Sequence, residues 1–304
     1  MERFELNILG CGSALPTTKH NLSSQVISLR EKLYMVDCGE GTQLQFRRSK
    51  LKFSRLNHIF LSHLHGDHCF GLIGLISTLG LLGRTADLHV YAQPDGEKIF
   101  RPLLNYFAKE LPYQVYFHSF DPSKNVLIHE DKTLEVYTIP LKHRVPTAGF
   151  LFVEKPKNNH ILRDVCDFYK VPTYKMNDIK AGADFITEDG ELIPNNKLTR
   201  PAEPPKKYAY CSDTAYLETI IPIIKGIDTL YHEATFIETD LARAKETFHS
   251  SAKQAALIAK EAEVGKLIIG HFSARYPDEN ILLEEAKTIF PNTFLANEGM
   301  CLPI

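Results

Sequence analysis

The sequence predicts an α/β (α+β) fold: two sheets packed face to face with helices outside, and a site along one edge. Three observations predict it. Short apolar runs with the strand period recur in both halves of the chain. The C-terminal third alternates such runs with helical patterns. Residues with metal-ligand chemistry, His and Asp, stand just past the ends of apolar runs in both halves. No internal repeat is strong enough to prove a duplication.

The first element is Phe4 to Gly10, where apolar and polar residues alternate as in a strand. Gly10-Cys11-Gly12-Ser13 makes a turn, and Pro16 to Asn21 a loop. Strands follow near 23–29 and 33–37. The second ends at Asp37-Cys38-Gly39, where the carboxylate could orient a metal-ligating histidine or make an Asx-turn. Residues 42–50 read as a helix ending in Arg47, Arg48 and Lys50, the densest basic stretch with Lys52 and Arg55. Such a run is either a solvated face or a nucleic-acid contact. After a run from Leu56 to Ser62, the apolar stretch Phe70 to Gly83 reads as a buried helix, too short and too rich in Gly, Ser and Thr to cross a bilayer. Strands near 87–92, 113–118, 126–129 and 133–141 are separated by one helix at roughly 95–109, with a further strand from Gly149 to Val153. From 154 to 205 the texture turns polar, with scattered prolines, and reads as an arm inserted into a single domain of 1–304. Beyond it, strands at 207–212, 227–231, 266–271 and 293–297 alternate with helices at 216–225, 252–263 and 278–290. Ser251 and Gln254 form a capping box for the helix after His249.

The whole chain sets bounds. At 304 residues, 44% hydrophobic and 24% charged, it has the make-up of a soluble globular protein with a sizeable core. A formal net charge of −2 advertises neither a nucleic-acid nor a membrane partner. Six cysteines without a C-x-x-C pair read as reduced thiols of a cytoplasmic protein. Met1 to Glu5 carries acid and no apolar run, so no signal peptide is expected.

Chemistry concentrates in His63-Leu64-His65-Gly66-Asp67-His68, where a strand should end and a helix begin. Imidazole nitrogens and carboxylate oxygens suit zinc, and a catalytic site wants about three of them plus an open position. With Gly66 allowing a tight turn, the His63/His65 and Asp67/His68 pairs can face opposite sides and serve two metals. Such a site needs roughly three more ligands. His143, Asp213 and His271, each past an apolar strand, are the candidates, with Asp213 suited to bridge. His249 held by Glu233 could protonate a leaving oxygen, and Arg275 lies close enough to His271 to reach a bound phosphate.

On these residues the chain resembles the metallo-β-lactamase-fold hydrolases, which share the H-x-H-x-D-H motif. Within them it is similar to the ribonuclease Z family of tRNA 3′-processing endonucleases. The more specific stretches are Leu9-Gly10-Cys11-Gly12-Ser13-Ala14-Leu15-Pro16-Thr17, Asp37-Cys38-Gly39-Glu40-Gly41-Thr42-Gln43, Ser212-Asp213-Thr214, His232-Glu233-Ala234-Thr235, Phe248-His249-Ser250-Ser251 and His271-Phe272-Ser273-Ala274-Arg275. The resemblance implies a four-layer αβ/βα sandwich and two zinc ions per subunit. One would be held by His63, His65 and His143, the other by Asp67, His68 and His271, with Asp213 bridging. It also implies Asp67 as proton acceptor for the attacking water and Glu233 with His249 on the donor side. Bacterial members are homodimers whose arm grips the tRNA body. The chain departs from the family in that arm, where Val171-Pro172-Thr173-Tyr174-Lys175-Met176-Asn177-Asp178-Ile179-Lys180-Ala181-Gly182 lacks the expected Gly-Pro pair. The implied reaction removes the 3′ trailer of precursor tRNA, leaving a 3′-hydroxyl and a 5′-phosphate. A small-molecule phosphodiesterase of the same fold, or a zinc-stabilised RNA-binding protein without turnover, would share the metal motif.

Overall fold

The computed structural model describes residues 4–304; the N-terminal Met1 to Arg3, part of the stretch read as lacking a signal peptide, lie outside it. The described residues form two compact units: 4–153 with 206–304, and Glu154–Pro205.

Among the described residues, the larger unit holds two seven-stranded sheets. The first runs, from edge to edge, Cys301–Pro303, Phe4–Gly10, Ser24–Leu29, Lys32–Val36, Leu56–Phe60, Leu88–Ala92 and Val115–Ser119. The second runs Thr293–Leu295, Lys266–Gly270, Thr229–Glu233, Lys207–Cys211, Ala148–Glu154, Leu134–Pro140 and Leu127–Glu130. Crossovers join the parallel strands, through helices everywhere except between Lys207–Cys211 and Thr229–Glu233, while short turns join the antiparallel pairs Ser24–Leu29 with Lys32–Val36 and Leu127–Glu130 with Leu134–Pro140.

Strand alternation explains the layers. Along Lys32–Val36, Tyr34 and Val36 enter the core between the sheets while Leu33 and Met35 enter a second core under the helices. Phe60 faces inward and Ile59 and Leu61 outward in the same way. The outer face of the first sheet is covered by helices Thr42–Arg48, Gly71–Leu81 and Pro94–Phe107, through Phe46, Leu75, Ile76 and Phe100. Helices Ala252–Glu261 and Asn280–Lys287 cover the second through Ala255, Ala259 and Leu282. The result is the four-layer αβ/βα sandwich. Each fully buried Leu, Ile or Phe of these cores contributes on the order of 1.5–3 kcal/mol through area removed from water.

The expected capping box is present: the Ser251 hydroxyl accepts the Gln254 amide and the Gln254 side chain accepts the Ser251 amide. The helix expected at 216–225 is instead a single 3-10 turn, Glu218–Ile220. Ile221 keeps helical backbone and the amides of Ile223 and Ile224 still reach Ile220 O at 3.0 and 3.1 Å, but Pro222 has no N–H and interrupts the ladder. Gly66 also differs in its use. Its φ is not left-handed, and a Cβ there would lie 2.4 Å from Phe70 Cε2. The glycine provides room rather than a turn.

The smaller unit, Glu154–Pro205, has its own core of Cys166, Val171, Met176, Ile179, Ile193 and Leu198. Two short antiparallel strand pairs, His160–Ile161 with Thr199–Arg200 and Phe185–Ile186 with Leu192–Ile193, and helices Arg163–Phe168 and Met176–Lys180 surround it. Phe168 and Tyr174 are left 77% and 76% exposed.

Candidate metal centre and active site

Strand ends supply the site. His63 and His65 follow Leu56–Phe60, and Asp67 and His68 sit in the short helix Gly66–Cys69. His143 follows Leu134–Pro140, Asp213 follows Lys207–Cys211, and His271 follows Lys266–Gly270. Asp37, Asp213 and His271 all take left-handed φ, at 57°, 55° and 61°. Such backbone is uncommon for non-glycine residues and persists where the surroundings hold it, typically at functional sites.

The imidazoles converge in two groups. His63, His65, His143 and Asp213 present ligand atoms within 4.8 Å of one another, and so do Asp67, His68 and His271. His63 Nε2 and His143 Nε2 stand 3.0 and 3.3 Å from His65 Nδ1. Donors around one tetrahedral ion with bonds of about 2.0–2.1 Å would stand about 3.3 Å apart. Asp213 lies between the groups: one oxygen is 3.6 Å from both His63 and His143, the other 3.1 Å from both His68 and His271.

The opposite ring nitrogens are already engaged. His68 Nδ1 meets Asp37 Oδ2 at 2.7 Å, His63 Nδ1 meets Ser62 Oγ at 3.0 Å, His271 Nδ1 meets Thr235 Oγ1 at 3.0 Å, and His143 Nδ1 meets Phe248 O at 3.1 Å. This fixes ring orientation in the manner of metal-site histidines. Asp37 is therefore an orienting residue, held by the Ser62 amide and hydroxyl and by Tyr210 Oη at 2.7 Å from the other sheet.

The residues fit a pair of divalent ions. His68 Nε2 and His271 Nε2 are buried without a hydrogen bond, yet both face carboxylates. All the donors are nitrogen or oxygen, which suits zinc. Burial would penalise charge on Asp67, but His68 and His271 hold its carboxyl far below the usual range. For His63 burial dominates and keeps the imidazole neutral, the form that ligates metal.

A cavity of about 310 Å³ opens on this cluster, lined by His65, Asp67, His143, Asp213, His249 and His271 among others. His249 Nδ1 lies 2.9 Å from the fully buried Glu233, whose other oxygen accepts from the Thr235 hydroxyl and the Ser250 amide. Burial opposes charge on His249, yet Glu233 lifts its pKa to about 9. Arg275 lines the cavity, stacked over Phe236 and 3.7 Å from Asp240.

A ribonuclease Z of Bacteroides thetaiotaomicron (strain ATCC 29148) is 64% identical over 304 residues, 100% of this chain and 96% of its own length. The chain belongs to the ribonuclease Z family. The ribonuclease Z of Bacteroides fragilis (strain ATCC 25285) is 60% identical over 100% of both chains. In fold, the chain resembles the crystal structure of the short form of human tRNase Z, with a TM-score of 0.72 and 24% identity over 99% of this chain and 100% of the other. A family model described as anti-Pycsar protein Apyc1 matches residues 4–99. That segment holds the hexapeptide and five strands of the first sheet.

All the residues singled out in this ribonuclease Z sequence for metal, acid or phosphate roles border the cluster or its cavity. Arg144 and Arg243 also line it and were not singled out. Arg144 follows His143 directly, so the signal was a cation beside a candidate ligand; Arg243 sits in a helix with no such mark. The basic stretch Arg47 to Arg55 does not line the cavity; Arg47 packs over Phe53, and Arg55 pairs with Glu31.

Proposed function

We propose that this member of the ribonuclease Z family is a zinc-dependent endoribonuclease that removes the 3′ trailer from precursor tRNA in the cytoplasm. His63, His65 and His143 would hold one ion, Asp67, His68 and His271 the other, and Asp213 would contact both. Two ions there would polarise the scissile phosphate and make a water nucleophilic at neutral pH. Asp67, fixed by the Ala14 amide at 2.9 Å, accepts the proton of the attacking water. The new P–O bond forms as the bond to the tRNA 3′-oxygen breaks, and His249 passes its proton to that oxygen. Glu233 positions His249 and keeps it charged. Arg144, Arg243 and Arg275 offer charge to the phosphates on either side. The products are a tRNA 3′-hydroxyl and a trailer 5′-phosphate.

The observation that carries this reading is His249, an imidazole 2.9 Å from the buried Glu233 carboxylate and lining the same cavity as the convergent ligand set. A purely structural metal site needs no such acid.

The Glu154–Pro205 unit is the proposed tRNA grip. It holds eight Lys and Arg against nine Asp and Glu, so net charge does not supply the grip. Local features do: exposed Lys170, Lys175 and Lys197 suit phosphates, and exposed Tyr174 and Phe168 offer stacking surfaces. Homodimerisation is part of the proposal; helix Pro94–Phe107 leaves Ile99, Leu103, Tyr106 and Phe107 exposed at helical spacing, and sedimentation at micromolar concentration should give twice the chain mass.

The test is cleavage of an end-labelled precursor tRNA beside a chromogenic small diester. The precursor should be cut to a 3′-hydroxyl; a 2′,3′-cyclic end, or hydrolysis of the small diester alone, overturns the reading in favour of 2′-hydroxyl attack or a small-molecule phosphodiesterase. Replacing residues 154–205 by a short Gly-Ser turn should raise KM for the precursor severely and spare the small diester. Equal survival of both activities would remove the arm from tRNA binding.

A further inference from the structure

A second cluster of ligand-type residues lies outside the catalytic set. Cys11 Sγ, the His20 imidazole and the Glu298 carboxylate place ligand atoms within 4.8 Å of one another. Cys11 Sγ is 3.3 Å from His20 Nδ1 and 3.7 Å from Glu298 Oε1, and His20 Nδ1 is 2.9 Å from Glu298 Oε2. Donors bound to one tetrahedral zinc at about 2.0–2.3 Å stand about 3.3–3.5 Å apart, so small side-chain shifts would bring all three onto an ion. Cys11 also lies 3.4 Å from the Ala296 carbonyl, a neutral oxygen on the same side.

The surroundings match. His20 Nε2 is held by Glu279 Oε1 at 3.1 Å, and Glu279 is paired in turn with Lys19. A carboxylate on the far nitrogen of a ligating histidine is the recurrent outer-shell arrangement of metal sites. Cys11 is fully buried and His20 and Glu279 nearly so, which would make a closed site rather than a catalytic one. One thiolate and one carboxylate would balance a divalent charge.

We propose that Cys11, His20 and Glu298 form a third, structural site for a thiophilic divalent cation such as zinc, separate from the catalytic pair. Binding displaces the Cys11 thiol proton to solvent and forms a metal–sulfur bond without any redox change. The ion would tie the loop after the first strand to the C-terminal segment at Ala296–Glu298. That loop carries the Ala14 amide on Asp67 and the Ser13 hydroxyl on Phe272 O, so the site would stiffen one wall of the active centre.

Loading metal-free protein with Co²⁺ alone tests this. The catalytic set contains only nitrogen and oxygen donors, and among the described residues no other cysteine belongs to a group of three such donors. A thiolate-to-cobalt charge-transfer band in the near ultraviolet is expected in the wild type and lost in Cys11→Ser. Metal analysis of the zinc-loaded protein should give one equivalent per chain more in the wild type than in Cys11→Ser, and Glu298→Gln should lower it as well. No charge-transfer band in the wild type, or a band that persists in Cys11→Ser, overturns the proposal; the cluster is then a His20 imidazolium bridging two carboxylates beside an inert thiol. Because the band is independent of the catalytic ions, failure here leaves the proposed nuclease reading untouched.

Discussion

Two clusters of histidine flank the same strand, Leu56–Phe60. Past its end stand His63, His65 and His68; within it and its neighbours, His58, His89 and His118 stack across three strands, with His129 from the other sheet. Rings of His58 and His89 are 5.2 Å apart at 16°, those of His89 and His118 5.2 Å apart at 27°, and His58 lies 4.2 Å from His129. An orphaned nitrogen does not separate the clusters, because His58 Nδ1 and His129 Nε2 also lack hydrogen bonds. What separates them is carboxylate and direction. In the first cluster Asp67 and Asp213 sit among ring nitrogens that converge; in the second the nearest acid, Asp131, is 3.8 Å from His129, and the nitrogens pair with Tyr91 and with each other. Histidine is placed to ligate an ion where its free nitrogens point at one place and an anion waits there. Elsewhere on the same sheet it is a flat ring that packs.

The largest break in that comparison comes from Asp213. Asp213→Ala removes the one carboxylate facing both groups and should leave cleavage at background and zinc content well below wild type, read by metal analysis. A variant holding wild-type zinc would remove the bridging assignment.

His249→Ala should slow cleavage about 10²–10⁴-fold while zinc content stays at the wild-type value, the outcome expected of the proposed acid role. Zinc loss in that variant would make it structural. The sign of the pH effect is fixed: Glu233 raises the pKa to about 9, so the acid form prevails below that value and the rate should fall as pH rises through it. The variant's profile should lack that limb.

The smallest effect belongs to the stacked cluster. Burial first, then the neighbouring His129 and His89, lower His58 from 6.5 to about 3. The unfolded chain therefore binds this proton between those values and the folded chain does not, so stability is lost as pH falls from 6.5 toward 3. His58→Phe keeps a flat ring and removes the titration. Its thermal midpoint should fall less on acidification than that of the wild type, by the equivalent of roughly a few kcal/mol at most, with cleavage at neutral pH unchanged. A loss of zinc in His58→Phe would erase the distinction between the clusters.

The sequence by itself determined the sheet strands except the edge strand Cys301–Pro303, the covering helices and the hexapeptide, because periods of two and 3.6 and the spacing of ligand-type residues are local properties. It also marked His143, Asp213 and His271, since each ends an apolar strand and strand ends of one sheet share an edge. It misread 216–225 as a helix because the apolar residues there match the helical period, while Pro222, with no N–H, interrupts the hydrogen-bond ladder. Only the tertiary structure decided Asp37, which the sequence left between turn and orienting residue: its partners Ser62, His68 and Tyr210 come from the loop after Leu56–Phe60, a short helix and a strand of the other sheet. The same holds for Arg243 in the cavity and for the meeting of Cys11 and His20 with Glu298, separated from His20 by 278 residues in the chain. No local pattern encodes such pairings. They exist because two sheets close on one another and bring distant turns to one edge, and that closure is set by the summed burial of both inner faces.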